Sequence, residues 1–133
     1  MSALDDTRDI LSVAGLTAVI YGFGPATVVE LAGEFDAYTA RGLRDHLRGY
    51  PRDRFVQVVV DLRKVAFMDS SGIAVLVALG KQADGQNGAL RLVLDEDHLL
   101  VKLQRMGLLK LWPVHADVVA ASHPAPGYPG YPN

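Results

Sequence analysis

VVVDLRKVAFMDSSGIAVLVALGK, residues 58–81, passes from one kind of local order to another within a single stretch. Its opening belongs to FVQVVVDL (55–62), a dense β-branched and apolar run that reads as a central strand, buried at least in part on both faces. Asp69, Ser70, Ser71 and Gly72 then form a polar break. A helix is predicted from around Ser70 or Ser71 through GIAVLVALGKQAD, with Ile73, Leu76, Val77 and Gly80 on one face and Gly85 ending it. Gly80 costs about 1 kcal/mol relative to alanine in a helix. It marks either a close helix–sheet approach or a tolerated weakness.

The flanking segments extend this pattern. Upstream, TAVIYGF (17–23) and TVVEL (27–31) are strand-like and separated by Gly24-Pro25, which predicts an antiparallel hairpin. ILSVAGL (10–16) either extends the first strand or lies across the sheet edge. TARGLRDHL (39–47) places Ala40, Leu43 and Leu47 at helical spacing, with Thr39 as its expected cap and Pro51 as its stop. Downstream, ALRLVL (89–94) reads as a strand. HLLVKLQRMGLLKLW (98–112) reads as a helix ending near Gly107, then LLKLW as a short terminal strand, and ADVVAAS (116–122) as a last helix. The expected order is β-β-α-β-α-β-α-β-α, an α/β domain with a small mixed sheet and helices packed mainly on one face. Residues 1–9 read as a flexible lead-in and 10–122 as the domain. Residues 123–133, HPAPGYPGYPN, are a Pro/Gly/Tyr-rich tail, either a disordered extension or a strap against the body or a neighbour.

Composition narrows the function classes. The 133 residues suit one domain, and a 50% hydrophobic content supplies its core. Thirteen basic and fifteen acidic residues leave a formal charge of -2, which gives no electrostatic support to direct nucleic-acid binding. Without cysteine there is no disulfide or thiol chemistry. His46, His98, His115 and His123 lack metal-ligand spacing, so no metal site is expected. The polar start MSALDDTRD is unlike a secretory signal, and no apolar run is long enough to span a membrane. A cytoplasmic protein without membrane insertion is expected.

The DSSG turn admits three chemistries. In the first, one serine caps the helix, Asp69 complements the helix start, and Gly72 eases a close turn. In the second, a serine is a catalytic nucleophile. The Gly-x-Ser-x-Gly elbow is absent, no histidine is placed to act as base, and the P-loop lysine is missing, so no catalytic residue is assigned. In the third, an exposed hydroxyl receives a phosphoryl group from another enzyme. That adds about -1.5 to -2 charges at a helix start able to tolerate them. A partner covering the turn would then meet bulk and repulsion.

LAGEFDAYTARGLRDHL (31–47) and VVVDLRKVAFMDSSGIAVLVALGK (58–81) closely resemble bacterial anti-sigma factor antagonists of the STAS domain family, and RLVLDEDHLLVKLQRMGLLKLW (91–112) resembles the family's later strand, helix and Gly-Leu ending. The resemblance spans approximately residues 10 to 120. It implies a non-catalytic protein, with no cofactor, whose unphosphorylated form binds an anti-sigma factor with serine kinase activity and so releases a sigma factor. It implies phosphorylation of Ser70 as the inactivating step, reversed by a PP2C-type phosphatase. Ser71 and Gly72 are then turn residues within the partner-binding surface, together with Asp69 and with Glu34 and Asp36 of the GEFD segment. Phe35 stands where the family usually has leucine. The bland alternatives are that Asp36 and Thr39 only make a turn and cap, that Glu34 is a solvated loop residue, and that Arg63 and Lys64 form a solvated strand end rather than offsetting a partner's charge. Phe67 and Met68 read as core. The competing function on the same fold is a scaffold or accessory subunit of a stress-signalling or lipid-transport complex. Self-association is left open.

Overall fold

The computed structural model describes residues 8–95 and 98–123. Three strands open the chain: β1 (Asp9–Val13), β2 (Leu16–Phe23) and β3 (Ala26–Phe35). Helix α1 (Ala37–Leu47) follows, then a 3-10 turn at Arg52–Phe55, β4 (Gln57–Met68), α2 (Ser70–Asp84), β5 (Ala89–Val93), α3 (His98–Arg105), a 3-10 turn at Leu108–Lys110, β6 (Val114–His115) and α4 (Val118–Ser122). The sheet order is β1-β2-β3-β4-β5-β6, antiparallel among the first three strands and parallel from β3 onward. Each crossover moves the chain one strand further in the same direction. Crossovers of one hand that never reverse direction leave their helices on one face.

The expected architecture holds, with local corrections. ILSVAGL does not merely lengthen the first strand. Asp9–Val13 is a separate edge strand paired with β2, so the order gains one β element. Residues 1–7 of the lead-in and 124–133 of the tail lie outside the described residues. LLKLW is not a strand: Leu108–Lys110 is a 3-10 turn after Gly107, whose φ of 74° ends the helical run, and the terminal strand is Val114–His115. Propensity favoured a strand over LLKLW, but the left-handed glycine turns the chain before it can pair.

Two cores flank the sheet. The larger joins Val29, Leu31, Val58, Val60, Leu62 and Leu92 to the buried faces of α1, α2 and α3. The smaller lies under α4, where Val28, Val59 and Val93 meet Ala121. Alternation along β4 thus sends consecutive valines to opposite faces, which is why the VVV run is apolar throughout. Arg91, fully buried on this second side, donates from Nε to the Ala121 carbonyl at 2.9 Å and from Nη2 to Gln57 at 2.7 Å. These bonds satisfy polar atoms that would otherwise be costly to bury. Gly80 has a packing role: a Cβ there would come within 2.8 Å of Trp112 Nε1.

The second half of β4 departs from strict alternation. Register shifts against β3 occur between Glu30 and Ala32 and between Gly33 and Glu34, so β4 carries extra residues. The buried residues there are Leu62, Val65 and Met68, three apart. Phe67, expected in the core, is therefore turned outward and is 48% exposed, while Met68 is buried as expected.

Arg63 and Lys64 form an exposed strand end, and each also has an acidic partner within the domain. Arg63 Nε and Nη2 grip both oxygens of the buried Asp61 at 3.0 and 2.8 Å, which raises the arginine's already high pKa. Lys64 Nζ reaches Glu30 at 3.3 Å. Arg63→Met should destabilise the protein by about 2 kcal/mol, since it leaves a buried carboxylate without its cation. Urea unfolding followed by the fluorescence of Trp112, the single tryptophan, measures this. A further Asp61→Leu substitution should restore part of the loss, and an unchanged midpoint in Arg63→Met would show that water replaces the guanidinium.

Candidate functional site

Glu34, Asp36, Asp69, Ser70, Ser71 and Gly72 all lie at the carboxyl ends of β3 and β4, where α1 and α2 begin. The two parallel strands end in register, Phe35 beside Met68. Asp69 N–H donates to the Phe35 carbonyl at 3.3 Å, tying the two strand-to-helix turns together. Each turn is capped by an aspartate. That corrects the expectation of a serine cap at α2, while at α1 Asp36 is the N-cap and Thr39 completes it from inside the helix.

At α1, Asp36 is the N-cap and accepts from Tyr38 and Thr39 N–H at 3.1 and 3.0 Å. Thr39 is the third helical residue. Its hydroxyl accepts from Asp36 N–H at 2.9 Å and donates to the Glu34 carbonyl at 2.7 Å, completing a capping box. The Thr39 backbone N–H, chiefly, holds the Asp36 carboxyl below the ordinary aspartate range. An ionised acceptor suits a helix start better than a hydroxyl does, because it satisfies donors and complements the dipole at once.

At α2 the arrangement repeats with one difference. Asp69 is the N-cap and accepts from Ser71 N–H at 2.8 Å, while Ile73 N–H closes the first helical bond to the Asp69 carbonyl at 3.1 Å. Ser70 is the first helical residue and is exposed. Its hydroxyl makes no hydrogen bond among the described residues, so the cap leaves it chemically unassigned. Ser71 is half-buried and Gly72 is buried. A Cβ on Gly72 would lie 2.8 Å from both Phe35 Cδ2 and the Phe35 carbonyl oxygen and 2.9 Å from Met68 Cγ. Only a hydrogen at this position lets α2 start this close to the strand ends.

Glu34 faces a different neighbour. Its N–H donates to the Gly15 carbonyl at 2.8 Å, and its side chain lies over the β1–β2 turn. The Gly33 before it has a φ of +105°, and a Cβ there would come within 2.1 Å of the same Gly15 oxygen. The glycine of GEFD is thus required by the crossing of two backbones. Asp36, Asp69, Ser70, Ser71 and Gly72 form one cluster, and Glu34 stands on its flank.

Two residues that sequence reasoning did not single out support the cluster from below. β5 pairs with β4 only as far as Asp61, so the last carbonyls of β4 lack a strand partner on that side. His98 Nε2 donates to the Ala66 carbonyl at 3.1 Å, and Lys102 Nζ donates to the Met68 carbonyl, one residue before Asp69. Their i, i+4 spacing puts both on one face of α3, but nothing local in the sequence says which strand they meet. The other histidines lie away from Ser70: His46 bonds Asp9, His115 is in β6 and His123 packs on Phe23. No group of three or more His, Asp or Glu side chains fit to hold a metal is present among the described residues, and no helix there is long and apolar enough to cross a membrane.

The same chain order is found in known proteins. The model of the STAS domain matches residues 17–121, starting just inside β2 and leaving β1 outside. The chain is 33% identical over 80 residues to an anti-sigma-B factor antagonist of Listeria monocytogenes, covering 60% of this chain and 70% of that protein. It is 31% identical over 96 residues to an anti-sigma F factor antagonist of Paenibacillus polymyxa, covering 71% and 81% respectively. Among solved structures it is similar to an anti-sigma factor antagonist from Mycobacterium paratuberculosis, with a TM-score of 0.68 and 25% identity over 84% of this chain and 95% of that one.

Proposed function

The chain belongs to the STAS domain family, and on that premise we propose that it is an anti-sigma factor antagonist switched by phosphorylation of Ser70. Unphosphorylated, it binds an anti-sigma factor that is also a serine kinase, and that binding sets a sigma factor free. The kinase transfers a phosphoryl group from ATP to Ser70 Oγ, ADP leaves, and the hydroxyl proton passes to solvent or a kinase base. A PP2C-type phosphatase returns the serine by hydrolysis. The protein supplies a presented acceptor and no catalytic group.

One observation carries this reading: the exposed Ser70 hydroxyl stands at the first position of α2, without a bond among the described residues because Asp69 has taken the capping role. A group with a structural bond would have to break it on modification, and this one has none to lose among the described residues. The amides of the helix start favour added negative charge, so the modified turn keeps its shape. Asp36 and Asp69 already place carboxylates around it, and a phosphate raises the local charge by about -1.5 to -2.

The test is reaction with the cognate kinase and ATP, followed by mass spectrometry. Wild type should take up one phosphate on the peptide containing Ser70, and Ser70→Ala should take up none. Ser71→Ala should still be modified. Unchanged incorporation into Ser70→Ala would sink the assignment, and binding of sigma-unrelated assembly components in place of an anti-sigma kinase would favour the scaffold function.

A further inference from the structure

We propose that the trench between α1 and α2 is a docking groove for an acidic, amphipathic helix of the protein partner, an inference that deepens the antagonist reading and rests on it. The trench has two continuous stretches of about 500 and 320 Å³ that share Arg44 and Val75. Its α1 wall carries Arg41, Arg44 and Arg48, three or four residues apart and so in one row, with Arg52 beyond. Its α2 wall is built of small residues, Ser71, Ala74 and Ala78, over a floor of Val75, Leu79 and Phe55.

The charge is one-sided. No aspartate or glutamate lines either stretch. Arg41, Arg44 and Arg52 have no carboxylate partner among the described residues, and Arg48 has only an exposed pair with Asp45 at 3.6 Å. Such an exposed pair is worth little. The chain as a whole is slightly acidic, with thirteen basic against fifteen acidic residues, so this row is a local concentration.

Shape and length select the occupant. From Ser71 to Gln82 the α2 wall rises about 16 Å, or three helical turns. The far end is closed where Gln82 and Gln86 donate to the Arg52 carbonyl at 3.3 and 3.0 Å. A convex helix can reach an apolar floor between two helices, laying its apolar side on Ala74, Val75 and Ala78 and its carboxylates on the arginines. A bilayer surface cannot follow the concavity, and the floor offers no polar partner to a nucleic-acid base. The mouth opens at Ser71, beside Ser70. A phosphate there stands at the entrance with the same sign as the incoming helix.

The probe is a fluorescein-labelled 16-residue peptide with a Leu/Ala face flanked by glutamates, followed by fluorescence anisotropy and by amide shifts of the isotopically labelled protein. Binding should weaken as salt rises, with shifts at Ala74, Val75 and Ala78. Arg41→Glu/Arg44→Glu should lose at least about tenfold in affinity, a 1.4 kcal/mol change, and should gain affinity for a lysine-flanked version of the peptide. Both arginines are exposed, so circular dichroism of the variant should match wild type. Equal affinity of wild type and variant, shifts elsewhere than the trench, or no binding up to about 1 mM would overturn the proposal. So would tighter, arginine-dependent binding to phosphatidylserine vesicles or heparin. No kinase enters this measurement, so a failed Ser70 assignment and a failed groove are told apart.

Discussion

Protein phosphorylated on Ser70 should bind its anti-sigma partner at least about a hundredfold more weakly than the unmodified form, a change of about 2.7 kcal/mol. Ser70→Glu adds one charge and less bulk and should weaken binding about tenfold. The size follows from placement. The phosphate enters beside Asp69 and Asp36, whose carboxylates are already committed to the two helix starts. A partner surface fitted to that turn must then accommodate roughly twice the negative charge, and like-charge juxtaposition at an interface costs several kcal/mol. Because the turn is exposed, higher salt should narrow the difference between the two forms. Titration calorimetry with the isolated partner measures all three. The melting curve should move little, within about 0.5 kcal/mol, because a surface change that breaks no bond leaves the fold alone. A large loss of stability would instead mean that the switch works by unfolding the turn. Equal affinities for both forms would end the electrostatic account.

The second large effect belongs to Gly72. Gly72→Val should destabilise the protein by about 3 kcal/mol, within the range for overpacking a filled core. Gly72→Ala should cost about 1 to 2 kcal/mol net, even though alanine favours a helix by about 1 kcal/mol over glycine. The added Cβ meets Phe35 and Met68, which are 0% and 1% exposed and have nowhere to go. It also meets the Phe35 carbonyl, the acceptor of Asp69 N–H. Relief by moving α2 outward therefore breaks the bond that joins the two turns. Thermal unfolding checks the stability, and the rate of phosphorylation checks the turn. A Gly72→Ala protein as stable as wild type would show slack at the strand ends.

Ser70 and Gly72 differ in how readily their roles could be read. The DSSG break between a doubly apolar strand and an amphipathic helix marks a strand-to-helix turn wherever it occurs, and periodicity alone located α2. The identity of the cap was not legible, since aspartate and serine are equally good caps by type. Asp69 takes the cap because it is the one residue between the end of β4 at Met68 and the start of α2 at Ser70, with its N–H held by the Phe35 carbonyl. Gly80 shows the same limit: a neutral-looking weakness in the helix became a contact once Trp112, thirty-two residues away in sequence, was placed against it.

The failures cluster where strands meet partners distant in the chain. Phe67 reads as core by its apolar type alone. The extra residues in β4 opposite β3 change the period of the strand, and a bulge depends on both strands. That the exposed Arg63 and Lys64 pair with Asp61 and Glu30 is legible only once the strand's own bend and the β3–β4 pairing bring those carboxylates beside them. The arginine row on α1 is visible in TARGLRDHLRGYPRDRF, but a row is not a trench until α2 brings a second wall beside it.

Periodicity and turn chemistry are enough to set most of the element order and the doubly buried centre of the sheet, while the choice of Ser70 comes from the family resemblance. The element order and the buried centre depend on interactions within a few residues or on the simple alternation of faces. Which side chains cap, which carbonyls of β4 find donors on α3, and which charges stay unpaired in the groove required the assembled fold. Those outcomes are set by groups far apart in sequence competing for the same few positions at the strand ends, and close packing there leaves one arrangement that satisfies the buried polar atoms.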